Sequence, residues 1–250
     1  MECLFYFCAM SRKKSAARKS SSNRFSNILR IAKKVVLWFF VITFLWVLAG
    51  RFINPPITWL MVQRGVEQKV DGKKWKLEKK WRSFDDLSSN LKYAAMAGED
   101  AHFLQHWGFD LKSIQKAYSK NKAGKPKRGG STITQQTAKN VFLWPGRSWI
   151  RKGFEAYFTA LIELLWSKKR IMEVYLNVIE MGDGIYGAEA ATQFYYNKPA
   201  SKLSKRQAAL LIAVLPNPRR WTPLRPTAYV YKKQYRILQN MRRIKFLKFE

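Results

Sequence analysis

Two short stretches of this 250-residue chain put carboxylates where proton transfer could take place. The first is AMAGEDAHFLQHWG, residues 95–108, in which Glu99 and Asp100 follow a run of small residues and precede aromatic ones. Ala and Gly let another segment approach closely, and aromatic neighbours lower the local dielectric. A carboxylate in such a crevice holds a proton more tightly and can act as a general base near neutral pH. The same pair reads equally well as an ordinary exposed acidic patch. The second stretch is Arg151-Lys152-Gly153-Phe154-Glu155. On a helix, Arg151, Glu155, Thr159 and Glu163 form one polar row at i+4 spacing, and Lys152 stands three residues from Glu155. Phe154, Tyr157, Phe158, Leu161, Ile162 and Leu165 fill the other positions. Alone, this row reads first as a solvated salt-bridge face and second as the charged wall of a site.

Between them lies GGSTITQQTAKN, residues 129–140. Paired glycines let backbone approach a ligand, and the helix start that follows offers free N–H groups to an anion. Ser131, Gln135 and Lys139 then align at i, i+4 and i+8, combining hydrogen-bond donors with a cation, which suits a phosphorylated sugar. The spacing is not that of a Walker loop. Helix surface is the alternative reading. His102 and His106, four apart, invite a metal, but HFLQH offers no third ligand and packing is the better reading. Cys3 and Cys8 are the only cysteines, so zinc chemistry and a disulfide framework in the folded domain are both excluded.

The elements that must position these residues follow from periodicity and capping. Residues 35–50 read VVLWFFVITFLWVLAG without a charge, and with snorkelling Lys34 and Arg51 the stretch 35–53 is long enough for a membrane span. Residues 1–34 form a basic tail of nine cations and one acid, net +8. The positive-inside rule puts this tail in the cytoplasm and the remainder across the membrane. A cleavable signal peptide fits poorly, because Arg51-Phe52-Ile53-Asn54-Pro55-Pro56 holds no small-residue cleavage site. Residues 54–84 read as a juxtamembrane region with an apolar patch at 57–62 and little periodicity after it. From residue 85 to 250 the pattern is helical. Helices are expected at 89–103 capped by Ser89, at 111–120, at 131–142 capped by Ser131, and at 148–166 capped by Ser148. Others follow at 168–181, 186–195, 204–214 and 227–243.

The chain carries 47 Lys+Arg against 16 Asp+Glu, a net charge of +31, of which +23 remains beyond the tail. Such a balance implies nucleic acid or an anionic membrane as partner. The apolar fraction of 47% excludes a disordered polybasic chain.

In this order, EDAHFLQHWGFD, GGSTITQQTAKN, RKGFEAYFTALIE, IMEVYLNVIEMGDGIYGAEAA and AALLIAVLPNP resemble the five motifs of the peptidoglycan glycosyltransferases of glycosyltransferase family 51, over about residues 85–225. The chain lacks the Lys-Thr-Gly element of a transpeptidase, so it is most similar to the monofunctional members. One departure is His102, where the family commonly carries Arg. The resemblance implies a mainly α, lysozyme-like domain with a small membrane-associated jaw behind one N-terminal transmembrane helix. It implies that the substrates are lipid II and the nascent glycan strand, at the outer face of the bacterial inner membrane, with membrane lipids rather than nucleic acid as the surface bound. Other cell-wall synthesis proteins are conceivable partners. By the same resemblance Glu99 is the general base and Glu155 the second catalytic carboxylate. Asp100, Ser131, Gln135, Gln136, Lys139, Asn140, Arg147, Arg151 and Lys152 would bind substrate, and Mg²⁺ or Mn²⁺ would bridge its diphosphate. A membrane-bound lytic glycosidase is the rival enzyme, and a basic anchor protein without activity the rival of another class.

Overall fold

The structure is a computed structural model that describes residues 3–111, 115, 130–146, 148–244 and 249, with side chains from residue 26 onward. The protein divides into two compact units, Met1–Trp46 and Val47–Glu250. Helix α1 runs Cys3–Gly50, and its Ser26–Gly50 portion, of mean hydropathy 2.1, is long and apolar enough to cross a membrane. The helix starts far before residue 35 because nothing in the basic tail breaks it. It stops at Gly50 rather than 53. Arg51 to Ile53 turn back on the Leu48 and Ala49 carbonyls, ahead of Pro55-Pro56.

Within the second unit, the exit of α1 is gripped by the domain. Trp166 Nε1 donates to the Val47 carbonyl at 2.7 Å, and the Arg170 guanidinium donates to the carbonyls of Gly50 and Ile53 at 3.0 and 2.9 Å. Helix α2, Trp59–Val70, occupies the region expected to lack periodicity. Thr58 caps it by accepting from the Met61 N–H, and Gly65 lets the Trp75 ring lie against its backbone, where a Cβ would meet the ring at 2.6 Å. One glycine and the charges of Arg64, Glu67 and Lys69 hid this short helix from a periodicity reading.

The remaining helices are α3 Ser89–Glu99, α4 Ile133–Phe142, α5 Trp149–Leu165, α6 Lys168–Val178, α7 Ala188–Tyr196, α8 Lys205–Ala213 and α9 Ala228–Ile244. The helix expected at 111–120 is described only at Leu111 and Gln115, which are helical; the rest of it and the loop to Gly129 lie outside the described residues. Three short strands, β1 Glu78–Lys79, β2 Glu180–Gly182 and β3 Ile185–Tyr186, form a sheet of order β1-β3-β2, with β1 parallel and β2 antiparallel to β3. The hairpin replaces the last turn expected of the 168–181 helix. Gly184, at φ +70°, sits in its turn, and Gly187, at φ +79°, leads the chain from β3 into the next helix.

The core is built from α3, α6 and α8. Leu91, Ala94, Ala95 and Met96 of α3, Ile171, Met172 and Tyr175 of α6, and Leu211 and Ile212 of α8 are fully buried. Helix α3 packs against α8 and α9, and α4 packs against α5 and α6. On α5, Ile150, Phe154, Tyr157, Leu161 and Leu164 recur at helical spacing as an apolar stripe that solvent reaches. Ile150 is 72% and Leu164 67% exposed, and the neighbouring Trp149 is 92% exposed.

Gly187 heads α7 at φ +79°, ψ 161°, and a Cβ there would stand 2.6 Å from the Asn177 carbonyl oxygen. Both the backbone region and the backbone contact exclude a side chain. Gly187→Ala is therefore expected to cost about 1–3 kcal/mol, read as a lower melting temperature of the detergent-solubilised protein.

Candidate active site

Glu99 is the last residue of α3, and its position is fixed from two sides. Gln136 of α4 donates Nε2–H to Oε2 at 3.1 Å, and Lys233 of α9 donates from Nζ to Oε1 at 3.1 Å. The helices can come this close because the preceding residue is Gly98, where a Cβ would meet Ile212 Cγ2 at 2.7 Å and Ile237 Cδ1 at 3.1 Å. Glu99 faces a cavity of about 810 Å³ whose polar lining includes Ser131, Gln136, Lys139, Lys233 and Arg236. Gln136 and Lys139 also border a second cavity of about 390 Å³, lined by Arg64, Asn140, Trp144 and Glu180 among others. Helix α4 thus forms the ridge between two hollows large enough for sugar rings.

Glu155 lies on α5, which packs against α4, and is buried. Its Oε2 accepts from Arg151 Nη1 at 2.9 Å, its Oε1 from Lys152 Nζ, and its carbonyl from the Thr159 hydroxyl. Lys139 feels both carboxylates. Its side chain reaches solvent, but within a concave site where protein fills much of the surroundings, so desolvation lowers its ammonium pKa from the ordinary value. Glu155 and, more weakly, Glu99 oppose that shift, while Arg151 and Lys152 add to it. The polar row on α5 therefore faces inward, not into solvent. Its lower end, Glu163, accepts from Thr134 Oγ1 at 2.6 Å and from Lys168 Nζ at 2.8 Å, locking α5 to α4 and α6.

Several expected ligands are used differently. Asp100 is 6% exposed, and its carboxylate accepts from the Ile133 N–H at 3.1 Å and pairs with His106 Nε2 at 2.9 Å. That pull takes Asp100 out of helical geometry, to φ −158°, and ends α3 at residue 99 rather than 103. Gln135 is buried and turned away from the cleft. Thr132, not Ser131, is the N-cap of α4, and Gln135 completes a capping box by accepting from the Thr132 N–H. The supposed row Ser131-Gln135-Lys139 accordingly does not form, and the cleft side of α4 is Gln136, Lys139, Asn140 and Leu143. Likewise Ser88, not Ser89, precedes α3, whereas Ser148 caps α5 as expected.

Ser131 lines the larger cavity and Asn140 the smaller. Arg151 is buried against Glu155, and Lys152 is half-exposed beside it. Arg147 lies outside the described residues. His102 and His106 go to separate carboxylates, Asp110 and Asp100. Sequence reasoning missed Lys233 and Arg236, because α9 scatters its cations over a mostly polar helix, and it missed Arg64 and Glu180. Burial raises the Glu180 carboxyl above its usual range, with Arg64 and Arg219 opposing.

Residues 67–242 match the family model described as transglycosylase. A protein of Pseudomonas syringae pv. tomato named biosynthetic peptidoglycan transglycosylase is 51% identical over 217 residues, covering 87% of this chain and 92% of that relative. Proteins of the same name from Bacteroides thetaiotaomicron and Pseudomonas entomophila are 53% and 52% identical, covering 86% and 82% of this chain and 86% and 87% of their own lengths.

A carboxylate that serves as a brace should be felt in stability before ligand binding. Asp100→Ala leaves the Ile133 N–H and His106 without their acceptor, at an expected cost of about 1–3 kcal/mol. Thermal melting of the substrate-free protein measures it, and an unchanged melting temperature would return Asp100 to the cleft as a ligand.

Proposed function

The chain belongs to the transglycosylase family and is a peptidoglycan transglycosylase with a mainly α, lysozyme-like domain, and on that premise we propose how its cleft carries out the transfer. Glu99 is the general base. Its carboxylate takes the proton from the 4-hydroxyl of an acceptor lipid II as that oxygen attacks the anomeric carbon of the donor glycan. The new C–O bond forms as the bond from the anomeric carbon to the diphosphate breaks, and the electron pair leaves with undecaprenyl diphosphate. The observation that carries this reading is the placement of Glu99 in the larger of the two hollows beside α4, with both oxygens turned to hydrogen-bond donors and Lys139 beside it.

The leaving group carries negative charge, so catalysis needs cations that are already in place. Lys139 and Lys152 supply them, and Glu155 holds Arg151 and Lys152 in position at that flank. A partly desolvated ammonium such as that of Lys139 interacts more strongly with phosphate than one in open water. Diphosphate departs without protonation, so no carboxylic acid is required on the donor side. A lytic glycosidase would need one. Glu99 is arranged as a proton acceptor between two donors, which favours synthesis over cleavage.

The expected Mg²⁺ or Mn²⁺ finds no protein cage to fit it. Among the described residues no three His, Cys, Asp or Glu side chains cluster, and both cleft carboxylates already face lysines. A divalent cation fits only as one carried on the substrate's own phosphate oxygens, and no step here is routed through it.

The apolar helix anchors the enzyme in the membrane. We place the basic N-terminal tail in the cytoplasm of the bacterial cell, against anionic headgroups, and the catalytic domain on the periplasmic side of the inner membrane. The substrate's lipid tail then stays in the bilayer while its sugars reach the cleft.

The test is polymerisation of lipid II by the full chain in detergent. Wild type makes polymer, Glu99→Gln loses roughly 10²–10⁴-fold in rate, as expected for a lost general base, and Glu155→Gln falls sharply as well. Release of fragments from preformed glycan, with no polymer from lipid II, would turn the reading to a lytic enzyme.

A further inference from the structure

We propose that Lys233 is the positioning residue for Glu99: its ammonium fixes the plane in which that carboxylate receives the acceptor's proton. The inference rests on Glu99 being the base. Lys233, Ile237 and Asn240 lie on one face of α9, spaced four and three residues apart. All three grip the end of α3. Ile237 packs against Gly98, Asn240 Nδ2 donates to the Ala97 carbonyl at 3.2 Å, and Lys233 reaches Glu99. The two charged side chains are only 13% and 16% exposed, so solvent and salt screen the pair less than a surface bridge. Among the described residues Glu99 is the sole ion-pair partner of Lys233, and Val230, Ile237 and Met241 bury the helix that carries it.

Other groups also face Glu99. Arg236 comes from α9, Gln136 and Lys139 from α4, the buried Tyr175 hydroxyl from α6, and Asp100 follows it in the chain. Of the cations among them, Lys233 alone touches the carboxylate. Gln136 occupies the other oxygen with a neutral donor. A carboxylate has about four lone-pair sites, so two bonds in fixed directions leave the remaining lone pairs aimed into the cavity.

The experiment is steady-state polymerisation of lipid II by the full-length enzyme in detergent, with kcat and KM measured separately. Lys233→Met is expected to lower kcat about tenfold or more. KM for lipid II stays within about threefold, and Lys233→Arg restores the rate. Lys233→Ala, which removes the same contact, gives the same loss and serves if the Met variant does not fold, as judged by thermal melting. An unchanged kcat overturns the proposal, as does a loss that falls wholly on KM, which would make Lys233 a substrate contact. If Glu99→Gln remains active, the general-base reading itself fails, and it does so whatever the Lys233 variants show.

Discussion

The carboxylate of Asp100 joins the end of one helix to the start of the next, and the geometry of the cleft depends on that joint. It accepts the first N–H of α4 and holds His106, so the residue after Glu99 is fixed to the helix that presents Gln136 and Lys139. The region around it is closed by short contacts. The Thr132 hydroxyl donates to the Gly108 carbonyl at 2.6 Å, and Lys168 donates to the His106 carbonyl at 2.7 Å. Gly108, at φ +75°, approaches Thr159 so closely that a Cβ would lie 2.5 Å from its methyl group. Each contact is modest alone. Together they leave α3, α4 and α5 one arrangement, in which Glu99 and Glu155 both act on Lys139 of α4.

From that arrangement follows a division of charge. The cleft carboxylates are never left to solvent: Glu99 faces Lys233, and Glu155 faces Arg151 and Lys152. Lys139 sits between the two groups on the ridge, partly desolvated and answerable to both. The large positive charge of the chain is thus not a uniform coat, because a few of its cations are spent on orienting carboxylates.

Much of this could be read from sequence, for local reasons. Helices from α3 to α9 showed themselves through 3.6-residue spacing, with Ser148 the one named Ser cap that holds, and Glu99, Gln136, Lys139 and Glu155 stand in motifs whose order carried the family resemblance. What escaped was decided by tertiary contact. Helix α2 forms over a glycine because Trp75 folds back onto it. The hairpin at Glu180–Tyr186 depends on Gly184, whose positive φ no apolar pattern reveals. Gln135 and Asp100 have the chemistry of ligands, yet a capping box and a helix start consumed them. The first was foreseeable, since Thr132-x-x-Gln135 is itself a capping signature. Lys233 was not, because its role exists only where α9 crosses Gly98.

The apolar stripe of α5 has a practical meaning. Removing α1 would not turn this protein into a freely soluble enzyme, because Trp149, Ile150 and Leu164 would still present greasy surface beside a strongly cationic domain. Shortened forms would cling to lipid, to detergent or to one another.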